Sequence, residues 1–269
     1  MEYGININFF ARYLGIKAAA EMVAKSGFTM LDYNPYVNKD SWESDMKEAV
    51  KIFDFYGLTV HQTHAPFNRY GSYGDKHQLC LQRCAEATEF MGAKFMVAHG
   101  DEFDFERLTF SPDAALEYNH NLFGPFVERA KQAGYKVAFE TVFEDMNCRR
   151  YTSKADELIE LIGSFNSENA VCCWDFGHSN VTFGKDAPKV IGKLGKLIQC
   201  THLHDNTGTD SHQMPMTGDI DWKATIGAFK DIDYKGVMSV EYAHGSMSEC
   251  LVQEFLNLTL KAARQVWSL

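Results

Sequence analysis

The sequence predicts an α/β protein, a single domain folded as a (β/α)8 barrel, and three observations carry that prediction. Eight short apolar or β-branched runs alternate with amphipathic helical stretches. Five junctions repeat one layout, in which a helical stretch ends at or near a glycine, an apolar run follows and a polar residue closes it. No linker or change of composition divides the 269 residues, a length that α/β barrels commonly fill as one domain.

The first strand is expected at residues 3–8. Gly27 introduces the second, 28–33, and Gly57 the third, 58–64. Gly92 precedes the fourth, 94–99, and Gly134 the fifth, 136–140. The sixth, 170–175, and the seventh, 198–203, are less regular; the eighth, 236–241, opens on Gly236. A helical pattern follows each strand. Such alternation pairs strands in parallel through right-handed crossovers, and eight units close into a barrel. The competing arrangement is an open doubly wound sheet, but no G-x-G-x-x-G follows the first strand, where its dinucleotide-binding form carries one.

Lys plus Arg number 26 against 36 Asp plus Glu, a formal charge of -10. Such a chain has no basic field to steer nucleic acid or anionic lipid, so neither is an expected partner. Carboxylate clusters instead suit bound cations. The longest stretch without Asp, Glu, Lys or Arg is 14 residues, Phe55 to Asn68, too short for a membrane span. Met1-Glu2-Tyr3-Gly4 shows no basic segment leading an apolar one, so the expected location is cytoplasmic. The seven cysteines read as reduced, buried thiols; Cys80 and Cys84 have a ligand-like spacing, but no second pair completes a zinc set.

Active sites of such barrels stand at the C-terminal ends of the strands. There the third to eighth strands end on His64, His99, Glu140, Asp175, His202 and Glu241, six metal-competent side chains in succession. His178, Asp210 and His212 follow in the adjoining loops, with Asp-x-x-His and Asp-x-His spacings that suit chelation. A glutamate ending an apolar run is expensive without a cation or hydrogen-bond partners. Oxygens with one imidazole favour Mn, Mg or Co, whereas recruiting His64, His99 and His212 shifts preference toward Zn. His204, two residues beyond His202, faces the same side and is read as orienting a ligand or the substrate. Asp221, before Trp222-Lys223-Ala224, has the form of a helix N-cap. His61, His77, His120 and His244 receive no role.

With these residues in place the chain resembles the xylose isomerase-like TIM-barrel superfamily of sugar isomerases, epimerases and dehydratases, which also contains endonuclease IV. The resemblance rests on His64-Ala65-Pro66, Phe139-Glu140-Thr141, Trp174-Asp175-Phe176-Gly177-His178, His202-Leu203-His204-Asp205-Asn206, Gly218-Asp219-Ile220-Asp221-Trp222 and Val240-Glu241. It implies that Glu140, Asp175, His202 and Glu241 hold one divalent metal, Mn, Mg or Zn. The same likeness makes Glu140 and Glu241 the acid and base and has His178 touch substrate; His64, His99 and His204 are the other candidate substrate contacts. His64, His99, His178, Asp210 and His212 are also candidate additional metal ligands, since with the first four they fill the nine ligand positions of endonuclease IV's trinuclear zinc site. Two motifs depart from that enzyme: His99-Gly100-Asp101 replaces its usual His-Pro-Gly, and Thr141 replaces Asn after the strand-five glutamate. His204 also replaces the Lys common in sugar-acting relatives.

The implied chemistry is proton removal beside a carbonyl, with metal stabilisation of the enediolate. Return of the proton to the opposite face is epimerisation, return to the next carbon is isomerisation, and loss of a β-hydroxyl, as from a keto-cyclitol, is dehydration. A trinuclear-zinc phosphoesterase and a non-catalytic sugar or metal sensor are the alternatives. The expected substrate is an unphosphorylated sugar, because Leu203–Trp222 and Tyr242–Gln253 contain no Lys or Arg. Arg69, Arg149 and Arg150 are the cations that other loops offer. A homo-oligomer is compatible with this reading.

Overall fold

In the computed structural model, which describes every residue except 69–71, 101, 105–109, 145–147 and 243–246, eight parallel strands stand side by side. They are β1 (Glu2–Asn6), β2 (Met30–Tyr33), β3 (Thr59–His64), β4 (Phe95–Ala98), β6 (Lys136–Glu140), β8 (Ala170–Asp175), β9 (Ile198–His202) and β10 (Val237–Val240). Their spatial order is β10-β1-β2-β3-β4-β6-β8-β9. Leu203 closes the ring, donating its N–H to Ser239 O at 2.6 Å and accepting from Glu241 N at 3.2 Å. The predicted (β/α)8 barrel is therefore the observed fold.

Helices alternate with these strands as expected, among them α2 (Ile16–Ser26), α3 (Trp42–Phe55), α4 (His77–Phe90), α6 (Ala155–Ser164) and α8 (Ala187–Leu194). The first strand is shorter than predicted: Ile7 is already in helical conformation and Asn8 opens α1 (Asn8–Leu14). At the α5 helix (Pro112–Ala133), Ser111 Oγ accepts from Ala114 N at 3.4 Å, and Gly134 at φ +85° ends the helix in the left-handed region that favours glycine. Gly236 is needed for space instead, since a Cβ there would lie 2.7 Å from Gln199 O. Asp221 caps α9 (Trp222–Asp231), accepting from Ala224 N at 3.0 Å, as predicted. The antiparallel pair β5 (Glu102–Asp104) and β7 (Cys148–Arg150) was not foreseen, because two three-residue strands carry too little alternation to read.

Alternate residues of a strand point to opposite faces. Phe95, Val97, Ala138, Val171, Cys173 and Cys200 form a buried cluster separate from the larger core. They share strand parity with His99, Glu140, Asp175 and His202, so the polar rim stands directly above an apolar plug. Cys80, Cys84, Cys172, Cys173 and Cys200 are free and buried, whereas Cys250 is exposed at the start of α10 (Glu249–Ser268), against the expectation for all seven. The side chain of Cys148 lies outside the described residues. No metal-competent group among the described residues includes a cysteine. No described helix is long and apolar enough to cross a membrane.

His61, on β3, is buried, and burial together with nearby Lys94 pushes its imidazole down to about 4. The unfolded chain, with an ordinary value near 6.5, therefore takes up this proton first as pH falls. Stability is lost between about pH 6.5 and pH 4, by up to about 3 kcal/mol. Denaturant titrations across this window are expected to show wild type losing stability relative to His61→Leu. Parallel pH profiles would refute a buried neutral imidazole.

Candidate active site

Glu140 ends β6, Asp175 ends β8, His202 ends β9 and His64 ends β3, while His99 and Glu241 each stand one residue beyond β4 and β10. Glu140 is the hub. Its Oε2 lies 3.1 Å from His64 Nε2 and 3.2 Å from His99 Nε2; its Oε1 lies 3.1 Å from His178 Nδ1 and 3.3 Å from His202 Nδ1. Around His202 Nδ1 stand also Glu241 Oε2 at 3.6 Å and Asp175 Oδ2 at 3.9 Å. Glu140, Asp175, His202 and Glu241 thus present ligand atoms within 4.8 Å of one another. The same spacing relates His64, His99 and Glu140, and also His178, His204, Asp210 and His212. All nine residues singled out by strand ends and loop spacings converge on one rim.

Local structure explains the aim of each. Asp175 both ends its strand and caps α7 (Phe176–Phe183), its Oδ1 accepting from His178 N at 2.6 Å. That cap fixes where His178 begins. Asp210 Oδ1 lies 3.2 Å from His212 Nε2 and 3.6 Å from His178 Nε2. His212 takes φ +44°, a left-handed backbone that costs about 1 kcal/mol or more in a non-glycine residue. Its ring stacks on His204 with centroids 3.9 Å apart.

Burial opposes charge on His202, His178 and Glu140, and the opposite charges around each override it. The carboxylates of Glu241 and Glu140 hold His202 protonated well above the ordinary imidazole range. Asp175, Asp210 and Glu140 do the same for His178. In return the imidazoles of His202 and His99 hold Glu140 well below the carboxylate range. The residues fit a cation: neither ring nitrogen of fully buried His202 makes a hydrogen bond, although three carboxylates surround Nδ1 and a fourth, that of Asp32, stands 3.0 Å from Nε2. Three carboxylates with one imidazole are a donor set for Mn, Mg or Zn.

Above this cluster opens a cavity of about 530 Å³, lined by Glu140, Glu241, His64, His99, His178, Asp210 and His212. Asp175 and His202 are fully buried beneath it. His204 corrects the expectation of substrate contact: it is fully buried and does not line the cavity, because its Nε2 is turned to Asp175 Oδ2 at 3.0 Å. Gly177 permits this, since a Cβ there would lie 1.9 Å from His204 Cε1. Arg149 is tied to Glu144 and Glu157 and stays out of the cavity, whereas Arg150 lines it. Arg69 lies outside the described residues.

Several lining residues escaped the sequence reading. Asn8 exchanges two 2.8 Å hydrogen bonds with the backbone of Asn34, and Asn6 Nδ2 donates to Asn34 Oδ1 at 2.6 Å, which builds an amide wall. Phe67 stacks on His99 at 4.6 Å, and Arg12 lines the opening. Beneath the cavity, buried Asp32 on β2 lies 3.0 Å from His202 Nε2. Extending the strand-end rule to the first predicted strand, 3–8, would have found Asn8, and the observed β1 ends on Asn6; Asp32 stands one residue before the end of β2 and escapes the rule, and Phe67 and Arg12 carry no local signal.

The model of the xylose isomerase-like TIM-barrel family matches residues 20–262. An uncharacterised protein of Methanocaldococcus jannaschii is 24% identical over 224 residues, covering 76% of this chain and 75% of that one. Among solved structures, a D-tagatose 3-epimerase-like protein superposes with a TM-score of 0.79 at 20% identity, over 100% of this chain and 98% of its own. A D-psicose 3-epimerase crystallised in the presence of D-fructose gives 0.78 at 15% identity, over 99% of both chains. With the family model spanning nearly all its strands and helices, the chain belongs to the xylose isomerase-like TIM-barrel family.

Proposed function

We propose that this protein is a divalent-metal-dependent sugar isomerase or epimerase acting on an unphosphorylated keto-sugar or related polyol. The observation that carries the proposal is the convergence of Glu140, Asp175, His202 and Glu241 within 4.8 Å, at the base of a cavity of sugar-admitting size. A bound Mn, Mg or Zn ion supplies Lewis acidity toward an enediolate. Glu140 and Glu241, both facing the cavity, remove the proton beside the carbonyl and return it. His178, His64 and His99 orient the substrate oxygens; His204 orients Asp175. The epimerase names of the two similar solved structures support sugar chemistry.

A neutral substrate is inferred from the loops: Glu140, Asp210 and Glu241 line the cavity, and no Lys or Arg lies between Leu203 and Trp222. Arg12 and Arg150 are assigned to hydroxyl groups. A phosphoesterase is the second reading, favoured by the further groups around His99 and around His212. The test is metal analysis with turnover assays on free ketoses, their terminal phosphates and abasic-site DNA. One ion per chain and exchange on free ketoses are expected. Three ions with DNA cleavage would establish the second reading, and a preference for the phosphorylated ketose above about tenfold in kcat/KM, some 1.4 kcal/mol, would refute the neutral substrate.

A further inference from the structure

We infer that Asp32 is a positioning residue that dictates which nitrogen of His202 faces the rim. The inference rests on the metal reading above. Asp32 is fully buried on β2, in register with Asn6 on one side and Gln62 on the other. Its Oδ2 lies 3.0 Å from His202 Nε2 and accepts from Gln62 Nε2 at 3.3 Å; the same amide donates to Thr201 O at 3.4 Å. Oδ1 makes no hydrogen bond.

As a core group this carboxylate is costly to desolvate. Its contact with His202 gives it a use. A carboxylate accepts a proton and offers none, so of the two ring protons of metal-free His202 the one on Nε2 is kept against Asp32, and the one on Nδ1 is given up where Glu140, Asp175 and Glu241 gather a cation. Loss of such a partner costs a metal site about ten- to a hundredfold in affinity.

The test is Mn(II) titration of the full chain, read by electron paramagnetic resonance, for wild type and Asp32→Asn. The variant is expected to bind about ten- to a hundredfold more weakly. In a His202→Asn background the second substitution should add nothing. Nitrogen-15 spectra of the zinc-loaded wild type should show His202 protonated at Nε2, a readout that needs no variant to fold. Affinity within about threefold of wild type, an equal loss in the His202→Asn background, or an Nδ1-protonated ring would overturn the inference alone. A wild type that binds no divalent ion would overturn the metal reading and this inference with it.

Discussion

Replacing Glu140 with Gln is expected to lower kcat by at least two orders of magnitude, the usual scale for losing a general base. Gln preserves the volume of the side chain, so the barrel keeps its packing while the hub loses its charge. Four imidazole nitrogens lie within 3.3 Å of that carboxylate. Solvent-deuterium incorporation into recovered substrate measures the step itself, with metal content followed in parallel. Loss of exchange with metal retained assigns the proton transfer to Glu140. Wild-type turnover without any exchange would point instead to a hydride shift.

The second large effect is expected from Asp175→Asn, which should strongly reduce metal content while the protein stays folded. Asn is as good an N-cap as Asp, so α7 keeps the bond now made by Oδ1 to His178 N at 2.6 Å. What the substitution removes is the negative charge beside His202 Nδ1 and the acceptor that His204 faces at 3.0 Å. Circular dichroism should match wild type. Unchanged metal stoichiometry would sink the assignment of Asp175 as a ligand.

Much of this was legible because barrels are periodic. Glycine-ended helices followed by apolar runs are local signals, and the backbone reasons for them act within a few residues: Gly134 is a helix stop wherever the chain goes next. A polar residue ending an apolar run is likewise visible without knowing its neighbours, and Glu140, Asp175 and Glu241 were found that way. The pair β5 and β7 was not, since its register joins Glu102 to Arg150 across 47 intervening residues.

Sequence alone therefore determined the architecture, the rim on which chemistry is possible and nine residues competent for it. Tertiary structure decided how they divide the work. Strand parity places His204 and His202 on the same side, yet a ring's direction depends on what fills the space around it. Gly177 and the stack on His212 turn His204 to Asp175 and away from the cavity. Asp32 acquires its contact with His202 only because closing the barrel brings β2 and β9, separated by β1 and β10, to face one narrow interior. Distances between side chains on non-adjacent strands follow from closure and packing, which no local pattern of residues encodes.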